Sequence, residues 1–584
     1  MSVNSRGVGS WMVLLSLVST PALSNDLRLV DAARNRDKEA VHALLQKQAD
    51  VNIPHPDGAT ALHWAAHWDD LETAKLLIRA GANVNAANAY GIVPLSLACA
   101  NGNADMVEML LAAGANGNVS RPTTESLLMT CARTGNARAV QALLAHGADV
   151  HAKDKESGQT ALMWAASQNH AQVVRTLIEW GADVRARTVI ADASASSYVR
   201  STLTLANRVR PSDVESGHDF SAILFAAREG AADAMRVLID NGADVNDRMD
   251  DGASVLQVAI ASGHWDLVPL LLEHGANPND DGPGYTPLHW AAGSWEALLS
   301  GALGARQYQW LAARGPGKLE LVKVLLAHGA NPNARLKKEP PTFGRGGGGQ
   351  FKHDGATPIV LAAKGADVAV MRTLLAAGAD PRPTADDGTT TLMIAAGYGQ
   401  TLGNSSVTYD EALDAAQLAM ELGADVNAAN QEGETALHGA AYFGADPVVQ
   451  FLVDRGARVN ARNRLGLTPM TVAQGYGGGG GILINPSTVA LLRQLGGVGD
   501  VDMDAAPIAS IKAPCPLPTL YFGLSNPSYG RAYATTTPAT KYVNGTCADL
   551  EVGTKIRVKG MRETDADKSW DGSVLASEIE IVKK

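Results

Sequence analysis

Residues 433–466, GETALHGAAYFGADPVVQFLVDRGARVNARNRLG, decide the fold. Thr435 stands where it can cap a helix N-terminus, and Asp446-Pro447 places an acidic residue and a proline where a second helix begins. Gly456 follows the apolar run Val448, Val449, Leu452 and Val453, where a helix C-terminus favours a left-handed residue. The small pair Ala440-Ala441 admits a neighbouring helix closely, and Leu437 and Leu452 supply apolar faces. Such a helix pair carries more apolar surface than it can bury alone, so it needs copies of itself on either side.

The copies begin at Asn25, Gly58, Gly91, Thr124, Gly158, Asp219, Gly252, Gly284, Gly355, Gly388, Gly433 and Gly466. The pattern Thr286-Pro287-Leu288-His289-x-Ala291-Ala292, followed by Gly329-Ala330-Asn331-Pro332-Asn333, resembles the ankyrin repeat. Thr60-Ala61-Leu62-His63-x-Ala65-Ala66 and Thr435-Ala436-Leu437-His438-x-Ala440-Ala441 are related forms. The resemblance covers roughly residues 25–500. It implies a mainly α fold, an ankyrin-repeat solenoid of about twelve repeats. It also implies that the repeat histidine ties adjacent turns by hydrogen bonds, and that partners bind on fingertips and inner-helix ends, which form a concave face.

Length and charge narrow the class. A chain of 584 residues exceeds one compact core, but each repeat of a solenoid touches only its neighbours. A formal charge of −11 and scattered basic residues argue against nucleic acid, which calls for a basic stripe. Residues 1–24 read as a secretory signal: Arg6 in a positive n-region, the apolar stretch from Trp11 to Val18, and a small-residue cleavage site at Ala22-Leu23-Ser24. A periplasmic or secreted protein is expected, without a membrane span.

The expected domains are repeats 1–5 over 25–186, an insertion at 187–218, and repeats 6–8 over 219–334 with an insertion within 293–317. A Gly-rich insertion at 335–354, repeats 9–12 over 355–498, and a linker with a small β domain over 499–584 complete the chain. In the last of these, residues 554–559 and 575–581 alternate apolar and polar, as half-buried strands do. Together with the adjoining residues they resemble a β-barrel domain of OB type at the ends of bacterial exported proteins. Cys99 and Cys131 occupy small-pair positions offset by one register and are expected as buried free thiols. Cys515 and Cys547 are expected to form a disulfide closing one loop of the C-terminal domain.

The candidate partner contacts are aromatic. Counted from the small pair, Trp68, Tyr398, Phe443 and Tyr476 share one register at the exposed end of an inner helix, with His67 and Tyr442 beside two of them. Such side chains bring large contact area at low entropic cost. Trp64, Trp164 and Trp290 directly precede the small pair and read as core. His63 and His67 stand four apart but lack the glutamate of a zinc motif. Asp500, Asp502 and Asp504 begin like a calcium loop, yet Ala505 and Ile511 replace its glycine and glutamate. The glycine runs 346–349 and 477–481 are not followed by the Lys-Ser or Lys-Thr of a phosphate loop and read as linkers.

These readings point to a non-enzymatic, exported scaffold with protein partners, no metal and no cofactor, possessing the character of an accessory factor for an envelope protein. The alternatives are a ligand- or surface-binding protein acting through its C-terminal β domain, and a hydrolase with a site built on the insertions.

Overall fold

A computed structural model describes residues 26–119, 125–155, 157–188, 220–293, 316–338, 354–400, 407–464, 466–474, 485–511, 515, 519–522, 532–552, 554–562 and 573–581. The signal segment, Tyr476, both glycine runs and most of the three insertions lie outside the described residues. The chain forms two compact units, the first over 1–155, 159–165 and 172–183 and the second over 156–158, 166–171 and 184–584.

Each repeat is an inner and an outer helix. In the first two repeats these are α1 (Arg28–Arg34) with α2 (Lys38–Gln46), and α3 (Ala61–His67) with α4 (Leu71–Arg79). In the unit at 433–466 they are Ala436–Phe443 and Asp446–Asp454. Local chemistry starts and stops them. Thr286, Ser254 and Thr408 close capping boxes, while Asp70, Asn103 and Asn136 cap outer helices through their side chains. Gly456 ends its repeat at φ +90°, as expected. Small and branched residues then interlock at the inner-helix interfaces: Leu62, Ala66, Leu95, Ala98 and Cys99 are all fully buried.

Two side-chain devices recur between neighbouring repeats. The first is the repeat histidine. Thr60 N–H donates to His63 Nδ1 (3.0 Å), so the ring proton sits on Nε2 and is donated to Ile92 O of the following repeat (2.9 Å). His289 reaches Ala356 O (3.3 Å) and His438 reaches Leu467 O (3.1 Å) in the same way. Gln257 performs this task where histidine is missing, accepting from Ser254 N–H (2.9 Å) and donating to Tyr285 O (2.6 Å).

The second device is an asparagine found in most connecting turns. Asn85 donates to Gly114 O (3.0 Å) and accepts from Asn116 N–H (2.8 Å). Asn52, Asn118, Asn246, Asn279, Asn333, Asn427 and Asn460 make the corresponding pair of bonds. A carboxamide suits this position because it is a donor and an acceptor at once.

The C-terminal segment is a five-stranded barrel of the OB type expected. Its strands β1 (Asp500–Ile511), β2 (Thr519–Phe522), β3 (Ala532–Val543), β4 (Lys555–Arg562) and β5 (Ser573–Ile581) close in the order β1-β2-β3-β5-β4. Only the β3–β5 pairing is parallel. Asp500, Asp502 and Asp504 lie in β1, so no calcium-type loop forms there. One apolar cluster joins Leu467 and Val472 of the last repeat to Leu520, Ile556, Val558 and Ile579 of the barrel. The barrel thereby covers the apolar end of the array.

The cysteines depart from expectation at one of two places. Cys515 and Cys547 come to disulfide distance, with Cα atoms 5.9 Å apart. Cys99 and Cys131 are buried, but they too are at disulfide distance, with Cα atoms 4.6 Å apart, which the expectation of free thiols did not include. Successive residues of a helix point about 100° apart. A one-register offset on adjacent inner helices therefore turns the two sulfurs toward each other.

Candidate partner-binding site

The aromatic residues separate by glycine content nearby. Tyr398 and Phe443 are 2% and 4% exposed, so they are core residues and not the exposed contacts expected of that register. The inner helix Thr391–Ala395 stops early, and Gly397 follows it at φ +111°. A Cβ on Gly397 would meet Phe443 Cβ at 2.6 Å, and one on Gly439 would meet Tyr398 N at 2.8 Å. Each ring thus fills the space another repeat gives to a side chain, and Tyr409 stacks edge-on against Phe443 at 5.3 Å. Burial pushes the Tyr398 phenol up, out of its ordinary range. Tyr442 is half-buried and packs against the cluster shared with the barrel.

Trp68 and His67 remain at the surface, Trp68 at 39% exposure. Trp64 and Trp68 stack with ring centroids 6.4 Å apart and planes 26° apart. His67 lies edge-on to both, at 5.7 Å from Trp64 and 4.5 Å from Trp68. Two guanidinium groups cover the indoles: Arg34 Cζ is 5.3 Å from the Trp64 centroid and Arg36 Cζ is 5.7 Å from that of Trp68. Trp68 Nε1 donates to Arg34 O (3.1 Å), locking the ends of α1 and α3 together. Sequence spacing pointed to Trp68 and His67 but missed Arg34 and Arg36, which come from the preceding repeat.

His63 differs from His67 in having both ring nitrogens engaged, Nδ1 as acceptor and Nε2 as donor. Burial pushes its pKa down, and pushes that of His289 down to about 4. These rings are neutral structural bridges. Trp290 is buried, while Trp64 and Trp164 are half-buried, each beneath an arginine. Beyond the helix ends, Tyr90 stands 69% exposed on a finger whose Ala89 N–H donates to Asp57 O of the preceding finger (2.8 Å).

Family models described as ankyrin repeats in three copies match residues 29–121, 113–188, 221–301 and 310–403, and one described as many copies matches 420–473. Among curated proteins, the chain is 26% identical over 244 residues to the E3 ubiquitin-protein ligase KEG of Arabidopsis thaliana. That match covers 36% of this chain and 13% of the relative. It is 40% identical over 74 residues to the E3 ubiquitin-protein ligase XBAT33 of the same plant, covering 12% of this chain and 14% of the relative. The chain thus spans only a small part of the length of these relatives. Among solved structures, the human ASB11 ankyrin repeat domain matches at 23% identity and a TM-score of 0.33, over 43% of this chain and 98% of that one.

Proposed function

Because the chain belongs to the ankyrin repeat family, we propose that it is an exported, non-catalytic scaffold that binds a protein partner through inner-helix ends and finger loops of its first unit. The observation that carries this reading is the contrast between two aromatic sets. Tyr398 and Phe443 are consumed by packing, whereas Trp68, His67 and Tyr90 keep large rings at the surface. Rings of this kind anchor interfaces, because they desolvate much area with few rotatable bonds.

Export rests on residues 1–24, and two cysteine pairs at disulfide distance suit an oxidising compartment. On this reading the pairs are bonded and the partner is an envelope protein that the scaffold accompanies.

A photo-cross-linking side chain placed at Trp68, at Tyr90, and at Trp180, which is exposed just past an outer helix, tests the surface in the native host. A protein cross-linked from the first two positions and not from the third is the expected result. Equal yields from all three, or none, overturn it. Fractionation with N-terminal sequencing tests export, and an uncut chain in the cytosol counts against it.

A further inference from the structure

The chemistry of the Trp68 surface is more specific than its aromaticity. Arg34 and Arg36 are exposed, and neither enters an ion pair among the described residues. The carboxylates of Asp37, Asp69 and Asp70 around them are otherwise employed. Asp37 caps α2 through Ala40 N–H (2.8 Å), and Asp70 caps α4 and pairs with Lys38 (3.0 Å). Asp69 accepts from Asn101 Nδ2 (3.1 Å). Asp31 lines a shallow cavity with Asn35, Asp37 and Ala40. Two guanidinium groups are therefore held over indole faces with their N–H edges uncommitted to any acid.

A second observation is conformational. After the small pair, the chain leaves the inner helix through a left-handed residue, and Gly102, Gly135, Gly230, Gly263 and Gly444 serve there in other repeats. In the first repeat that residue is Arg36, at φ +61°; non-glycine residues also take this place at Asp69 (φ +56°), Asn169 (φ +57°) and Ala366 (φ +49°). A side chain in this conformation costs about 1 kcal/mol that glycine would avoid. The position tolerates that cost while placing a guanidinium over Trp68.

We infer that Arg34, Arg36, Trp64 and Trp68 form a docking platform for an acidic peptide segment of the protein partner, one with apolar side chains beside its carboxylates. This rests on the scaffold reading above and deepens it. The guanidinium edges donate to carboxylates, and the exposed part of Trp68, flanked by His67, takes the neighbouring apolar side chain. The net charge of −11 opposes such a ligand at a distance, but screening over about 8 Å at physiological salt confines that repulsion and leaves the contact to the two arginines.

The test uses the full mature chain and fluorescence anisotropy with two labelled peptides, a repeated Glu-Gly-Leu and its Lys-Gly-Leu counterpart, with inorganic phosphate as competitor. The acidic peptide is expected to bind and the basic one not to. Arg34→Gln/Arg36→Gln and Trp68→Ala, each verified as folded by circular dichroism, are expected to weaken binding about tenfold or more, since two charge-assisted contacts are lost. Arg138→Gln is expected to leave it unchanged, because Arg138 is already paired with Asp105 and Glu108. The inference is overturned if the acidic peptide does not bind, if the basic one binds equally, if the double variant binds like the parent, or if phosphate displaces the peptide at equal concentration. Cross-linking from position 68 separates the two failures. A partner captured at undiminished yield by Arg34→Gln/Arg36→Gln sinks the acidic-segment inference and spares the scaffold, whereas no captured partner sinks the scaffold.

Discussion

Histidine and glutamine at one repeat position do the same mechanical work with different proton chemistry. His289 is neutral in the fold, its pKa held at about 4 by burial. Its ordinary value is about 6.5. Between these values the unfolded chain binds the extra proton, so the stabilisation is complete above about pH 6.5 and is lost as pH falls toward 4. Gln257 shows that a carboxamide fits the same bridge. His289→Gln is therefore expected to flatten the dependence of the urea midpoint on pH over that window, and an unchanged slope would refute the assignment. Arg36→Gly is expected to stabilise the fold by about 1 kcal/mol in urea titration by relieving the left-handed arginine. The same substitution should weaken acidic-peptide binding, the usual trade between stability and function.

At the scale of the element, the helix pairs were legible in the sequence because caps, small pairs and glycines recur at a constant step. The contacts between elements were less so. The asparagine bonds reach 29 residues ahead to the next turn, while the same residue type read locally is simply a good turn former. Register counted from the small pair put Tyr398 and Phe443 at the surface. It missed that Gly397 and Gly439 open room for rings to fold inward. The cysteine offset was visible, but its consequence depends on how two inner helices face each other. If Cys99 and Cys131 are joined, the link closes a loop of 32 residues' separation, and losing it is expected to cost about 3–4 kcal/mol. Comparing the unfolding midpoint of Cys99→Ala/Cys131→Ala with that of the parent, with and without reductant, checks this. A parent insensitive to reductant and equal to the variant would mean that no such link exists.

For the second unit as a whole, the barrel is both a domain and a lid on the repeat array. Repeat arrays need terminal caps because an end repeat otherwise presents its apolar face to water. The first repeat meets this need with polar residues such as Arg34, Asn35 and Arg36. The last one instead buries Leu467 and Val472 in the barrel's core cluster. Ending the chain before Asp500 would expose both side chains, at about 1.5–3 kcal/mol each. The expected outcome in hydrogen exchange is loss of protection in Pro469–Ala473, with the repeats near the N-terminus unaffected. Retained protection there would mean that the barrel is a passenger.

The asparagine rungs make the array behave like a row of coupled switches. Where each rung is present, a repeat cannot open without breaking two bonds to its neighbour, so adjacent repeats rise and fall together. Asparagine is replaced at His151, Arg185 and Arg382, and the guanidinium of the last two has no acceptor with which to complete the pair. Under heat or tension the row should part there, dividing into segments that melt separately, as a chain fails at its weakest link.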